Sequence, residues 1–188
     1  MIPTFEHQWQ KIAFIAALCS RHQGNHSIYC ETIEKSEHAA LYGKILNKVW
    51  EYLAGQLKSM KNLENALQQL EDITPEPTED DGYGVYPALD ACLLLTSALQ
   101  MILDKSIDDV EQAAPLSLAT VCQFIEISEG LDKNSDAMAQ HPLYQEESQF
   151  QQHLTTNLNV VNQTQTQVVK QLRRELSEYT YSNLGIAI

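Results

Sequence analysis

With 188 residues, 44% of them hydrophobic, and only seven glycines and six prolines, the chain has material for one sizeable core. It has too few breakers for a disordered, collagen-like or turn-rich all-β protein. Twelve Lys and Arg stand against 25 Asp and Glu, a net charge of -13 that repels phosphate backbones and anionic lipids and argues against nucleic-acid or membrane binding.

Phe5, Trp9, Ile12, Ala16 and Cys19 recur at helical spacing and predict a first helix ended by Gly24. A short second helix through Ile28, Tyr29 and Ile33 follows, capped by Asn25 or Ser27. A third runs from Glu37 through Leu41, Ile45, Val49 and Leu53 to a stop at Gly55. Leu63, Ala66, Leu67 and Leu70 make a fourth, terminated by Thr74, Pro75 and Pro77. After an acidic loop, Ala88 to Leu103 is apolar nearly all round, as a central buried helix must be. Asp90, Thr96, Ser97 and Gln100 interrupt it, so it reads as a core helix and not a bilayer span. A sixth helix is expected over Ser106 to Glu129, broken or kinked at Pro115. Pro142 opens a long C-terminal helix with a seam of Leu154, Leu158, Val161, Gln165, Val168 and Leu172. The expected fold is therefore all-α: one domain over residues 1–188, a bundle of about seven helices with a buried central helix. The apolar tail from Leu184 to Ile188 is expected to dock into a groove or a homodimer interface.

The four cysteines, Cys19, Cys30, Cys92 and Cys122, form no CxxC pair and lie in apolar stretches. They read as buried thiols of a reducing compartment. The early apolar run Ile12 to Cys19 lacks a basic flank and a cleavage pattern, so no signal peptide is expected and the cytoplasm is the expected location.

Recognisable chemistry is sparse. Gly82-Tyr83-Gly84 is followed by Pro87, so neither a dinucleotide fingerprint nor a P-loop is present, and GxSxG, HExxH and Glu-x-x-His pairs are absent. Cys19, His22, His26 and Cys30 have the residue types and near-spacing of a tetrahedral zinc site. The favoured reading is helix-face thiols and exposed turn histidines flanking Gly24, with zinc as the alternative, so no metal or other cofactor is assigned. Asp90 is the one charge inside the central helix and needs a partner, either first-turn amides or a Tyr hydroxyl. Its functional alternative is a carboxylate and tyrosine pocket of Asp90, Tyr83, Tyr86 and Glu126, with Glu129 one turn beyond Glu126. From Lys61 to Lys105 no basic residue intervenes, whereas Glu71, Asp72, Glu76, Glu79, Asp80 and Asp81 crowd the loop before the central helix. That potential offers a landing site to a basic protein partner.

Trp9 to Arg21, Tyr42 to Glu51, Asp81 to Cys92 (DGYGVYPALDAC) and Ser182 to Ile188 (SNLGIAI) together resemble the YjaG-like family of uncharacterised bacterial proteins. The resemblance implies an all-helical cytoplasmic bacterial protein and brings no catalytic residue with it. The favoured expectation is a non-enzymatic interaction or regulatory protein. The alternative is a small-molecule enzyme or binder built around Asp90.

Overall fold

The apolar positions of the first fifty residues fold into two helices that pack along each other, α1 (Gln8–Thr32) and α2 (Ser36–Leu53). In the computed structural model, which describes residues 2–187, α1 runs unbroken through Gly24. The predicted stop is therefore absent, and the first two expected helices are one. Glycine only weakens a helix interior by about 1 kcal/mol. Here both flanks of Gly24 are tied down: His22 and Asn25 bond to other elements, and the His26 ring stacks on Tyr42 at 4.7 Å. Gly55, by contrast, lies just past α2 at φ 75°, where a left-handed residue ends a helix.

α3 (Met60–Ile73) and α4 (Val85–Leu103) match the expected fourth and central helices. α4 lies along α1, with α2 against both and α3 against α4 and α2. The buried Tyr42 hydroxyl lies 3.1 Å from the Ala91 carbonyl and 3.3 Å from the Cys19 carbonyl, so one side chain of α2 joins α4 to α1. Ile15, Leu18, Ile45, Leu53, Leu94, Leu95 and Leu99 fill the space between them.

α5 (Val110–Glu129) begins at an Asp109 cap, later than Ser106. Ser106 instead donates its amide and hydroxyl to Asp104, closing the preceding turn. Pro115 sits inside α5 without breaking it. A proline removes one backbone donor, and at this exposed position the orphaned carbonyl of Glu111 can be hydrated. Gly130 at φ 71° ends the helix, and the short α6 (Asp136–Gln140) follows.

The predicted long C-terminal helix is two helices, α7 (Pro142–Leu158) and α8 (Gln165–Leu176). Polar residues cut the seam: Gln10 donates to the Leu158 carbonyl at 2.7 Å, Asn162 turns left-handed at φ 72°, and Thr164 starts α8 with a capping box to Gln167. Val161, read from spacing as a seam residue, is 81% exposed in this turn. Gln165 donates to the Leu53 carbonyl at 2.8 Å, tying α8 to the end of α2.

Eight helices are thus present among the described residues, with one isolated antiparallel bridge, Tyr181 to Ala187, in the C-terminal tail. The tail folds back on itself and docks, as expected for Leu184 and its neighbours; Ile188 lies outside the described residues. A second, smaller apolar cluster forms around Val121, Ile125, Met138 and Leu184, apart from the main core.

Candidate functional sites

Of the tyrosine and carboxylate set read from the sequence, Tyr83, Tyr86 and Asp90 gather at one end of the α4–α5 hairpin, without a bond to Glu126 among the described residues. Thr120 of α5 donates its hydroxyl to Asp90 of α4 at 2.7 Å. This corrects the expected partners of Asp90. It stands beyond the first turn, where the backbone amides are already engaged within the helix. The Tyr83 hydroxyl, for its part, is buried without a hydrogen-bond partner. Burial pushes the Asp90 carboxyl up and the Thr120 bond pulls it down, the first effect prevailing. Burial, with the nearby Asp90 charge, likewise raises Tyr83. The Tyr83 ring lies 6.4 Å from Tyr86 and 6.3 Å from Phe124, a loose aromatic platform. Glu126 is exposed on α5 and no hydrogen bond joins it to Asp90 among the described residues, while Glu129 pairs with His141 at 3.1 Å.

The zinc-like array lies within one continuous helix and not in a turn. His22 and His26 are buried, which corrects the reading of exposed turn histidines. His22 points to Ser117 and Asn183, whereas His26 lies 3.6 Å from the Cys30 sulfur and under Tyr42. No group of three or more His, Cys, Asp or Glu side chains is placed to hold a metal among the described residues. The thiols are also poorly suited as ligands: burial pushes Cys30 up to about 11 and Cys19 higher still, so neither is a ready thiolate.

Sequence reading missed the most organised polar site in the molecule. Arg21, His22 and Asn25 of α1, Ser117 of α5, Glu147 and Gln151 of α7, and Asn183 of the tail are all buried. Ser117 donates to Glu147 at 2.6 Å, and Gln151 donates to Glu147 at 3.2 Å and to the Ala114 carbonyl at 3.1 Å. The His22 Nε2 lies 2.9 Å from the Ser117 hydroxyl and 3.0 Å from the Asn183 amide nitrogen. Asn25 donates to the Asn183 side-chain oxygen at 2.8 Å, and the Asn183 backbone amide donates to the Arg21 carbonyl at 3.2 Å.

Arg21, 2% exposed, closes this cluster on the other side. Its guanidinium lies between the rings of Phe150 (5.0 Å) and Tyr179 (4.8 Å). It donates to Glu146 at 2.9 Å and to the Tyr181 carbonyl at 3.0 Å, with Glu147 at 4.0 Å from its Nε. Beside it a cleft of about 350 Å³ opens between α7 and α8, floored by Phe150, Leu154, Leu172 and Tyr179 and rimmed by His153, Glu175 and Glu178.

Proton accounting constrains what the cluster can do. Burial, and then the Arg21 charge, push His22 down to about 3, so the ring is neutral near pH 7. Burial pushes Glu147 up against the opposing pull of Ser117, Arg21 and Gln151. Ser117 has one proton and gives it to Glu147 when the latter is ionised; His22, with its proton on Nδ1, then accepts from the Asn183 side-chain amide at Nε2. When Glu147 is protonated, the chain reverses and Ser117 donates to His22. In a serine-hydrolase triad the acid orients the histidine; here it binds the serine, and all three groups are sealed from solvent. The arrangement differs from that triad in its order and joins α1, α5, α7 and the tail.

Fold and site together define an all-helical domain whose inner polar cluster is closed by its own C-terminal segment. The chain belongs to the family described as "Protein of unknown function (DUF416)", whose model matches residues 5–187. A crystal structure of a DUF416 family protein from Shewanella baltica OS155 superposes with a TM-score of 0.85 at 32% identity, covering 97% of this chain and 95% of that one. An uncharacterised protein of Haemophilus influenzae is 33% identical over 180 residues, 95% of this chain and 91% of its own length. The uncharacterised protein YjaG of Escherichia coli K12 is 28% identical over 180 residues, 95% of this chain and 90% of its own. The resemblance seen in the sequence motifs is thus a family membership over nearly the whole chain. None of these descriptions names an activity, substrate or partner.

Proposed function

We propose that this protein is an interaction module whose α4–α5 end docks a basic, partly apolar segment of a protein partner. The carrying observation is the aromatic platform and its charge. Tyr86 is 40% exposed beside the half-buried Tyr83 and Phe124, and Ile127, three residues after Phe124 on α5, is 57% exposed. Asp80 and Asp81 precede Gly82 and Tyr83 in the chain, and Glu126 lies between Phe124 and Ile127; all three carboxylates are exposed. Tyrosines in such a setting offer large apolar area at small entropic cost, and their ring faces attract Lys and Arg. Carboxylates around them accelerate the encounter with a basic segment and select against acidic ones. Asp90 acts beneath the platform, fixing α4 to α5 through Thr120.

The test is titration of a fluorescent Lys- and Arg-rich amphipathic peptide, with its Glu-substituted counterpart as control. Binding of the basic peptide alone is expected, weakening at least tenfold from 50 to 500 mM salt and about five- to tenfold in Tyr86→Ala and in Asp80→Asn/Asp81→Asn. Equal binding of both peptides, or affinity unchanged by these substitutions, would overturn the reading.

A further inference from the structure

We propose that the buried polar cluster and the small apolar cluster beside it form a peptide-binding site for an asparagine–leucine turn, occupied in cis by the chain's own residues 181–187. This site adjoins the α4–α5 platform through Phe124, which packs on the same apolar cluster, but its anchors and its test involve neither Tyr86 nor the acidic residues of the platform.

The segment has the marks of a bound ligand. It is organised by its own bonds: the Ser182 hydroxyl accepts from the amides of Leu184 and Ile186 (both 3.2 Å), the Ser182 amide donates to the Ile186 carbonyl at 2.7 Å, and Gly185 turns at φ 75°. A turn that folds on itself loses little entropy on docking. Its two buried anchors enter two different pockets. Asn183 meets His22, Asn25 and the Arg21 carbonyl, each through a distinct atom, so side-chain oxygen, side-chain nitrogen and backbone amide are all read. Leu184 fills the apolar pocket of Val121, Ile125 and Met138. The neighbouring residues Tyr181, Gly185 and Ala187 stay exposed, as they would in a peptide lying on a receptor.

The receptor side is built at a cost that packing alone does not explain. Replacing a buried charged network by apolar residues is often neutral or stabilising, so a chain that keeps Arg21, His22, Asn25, Ser117 and Glu147 together in its interior keeps groups that recognise something. The cluster is also incompletely satisfied. Arg21 Nε, His22 Nδ1, Asn25 Oδ1 and Glu147 Oε2 are buried without hydrogen-bond partners, four such atoms within one network. Arg21 Nε and Glu147 Oε2 face each other at 4.0 Å, so the capacity the resident segment leaves unused is that of His22 Nδ1 and Asn25 Oδ1, and a partner segment with an Asn-Leu turn and a further polar group for these atoms can displace it. In this arrangement the C-terminus is a latch that an outside peptide must compete away, so the apparent affinity of any such partner is reduced by the effective concentration of the tethered segment.

The experiment uses the full chain carrying Asn183→Ala and Leu184→Ala, which weakens the resident segment and leaves the receptor residues intact. The probe is a fluorescent peptide of residues 181–187. Binding at least tenfold tighter to the double variant than to the wild-type chain is expected, with loss of binding when the peptide's own Asn or Leu is replaced by Ala. A cooperatively folded variant that does not bind the peptide, or binds the Ala-substituted peptides equally, overturns the proposal. If the variant does not fold cooperatively, hydrogen exchange on the wild-type chain decides instead. The amides of Ser182, Asn183 and Gly185 are then expected to exchange at least tenfold faster than those of the buried turns of α1, through detachment of the tail alone. Exchange of these tail amides only with global unfolding overturns the latch.

Discussion

Two polar regions of this molecule, both near the C-terminal half of α5, invite comparison. Around Asp90 a single carboxylate enters an otherwise apolar helix and finds one hydroxyl, Thr120, while its aromatic neighbours remain half open to solvent. Around Arg21 and His22 three helices and the tail contribute seven buried polar residues, tied to one another and to their surroundings by at least seven hydrogen bonds and an aromatic sandwich. The first is conspicuous in the sequence and loosely held; the second is dispersed in the sequence and tightly held. A polar residue stands out when its own helix is apolar, but how much depends on it is set by how many elements meet there and how completely water is excluded.

The sharpest way to break this comparison is to remove the buried cation. Arg21→Ala deletes the partner of Glu146 and Glu147 and the filling between Phe150 and Tyr179, and should cost about 3 to 5 kcal/mol in urea unfolding. A loss below about 1 kcal/mol would mean that the cluster is not the keystone described. Asn183→Ala leaves His22 and Asn25 facing a small cavity and should cost about 1 to 3 kcal/mol, together with looser docking of the tail.

Acid titration sharpens the same contrast. The His22 pKa falls from an ordinary 6.5 to about 3 in the folded chain, and that of the buried His26 to about 4. Between pH 6.5 and those values the unfolded chain binds more protons, so stability falls as pH falls, by at most about 1.4 kcal/mol per pH unit for each group. Glu147 works in the opposite sense: its folded pKa is raised, so its contribution is lost as pH rises through that value. His22→Gln should therefore flatten the stability loss between pH 6 and 4 by roughly 1 to 2 kcal/mol, whereas Glu147→Gln should steepen it. Parallel slopes in the wild-type chain and both variants would contradict the assigned protonation states.

The smallest effect is expected at the most conspicuous residue. Asp90→Ala should cost about 1 kcal/mol, because Thr120 retains the Leu116 carbonyl at 3.0 Å as a second acceptor. Asp90→Asn should be within about 0.5 kcal/mol of wild type or slightly stabilising at pH 7, since it removes a charge that burial disfavours. Thermal melts of the two variants check both.

Much of the fold was legible because its signals are local. α2, α3 and α4 follow from apolar spacing, and their ends from Gly55, Pro75 and the Asp104 turn. Three local rules failed, each for its own reason. Gly24 does not stop α1, whose flanking residues are held by α5, α2 and the tail. Pro115 does not break α5, and the apolar seam across residues 154–172 does not keep α7 and α8 continuous, because Gln10 and Asn162 favour a turn. The buried cluster was illegible for a different reason. Its members are separated by up to 162 positions, from Arg21 to Asn183, and no spacing rule links an arginine in one helix to an asparagine in a tail. The one available signal was Arg21 itself, a charge closing the apolar run Ile12 to Cys19, where a solvated face was the ordinary expectation.

The central claim is that the tail and α1 are coupled through the cluster, and a double-mutant cycle between His22→Ala and Asn183→Ala measures that coupling directly. An interaction energy of about 1 to 3 kcal/mol is expected from chemical unfolding of the two single variants, the double variant and the wild-type chain. Strict additivity, within about 0.3 kcal/mol, would show that Asn183 merely lies beside His22 and would contradict the account.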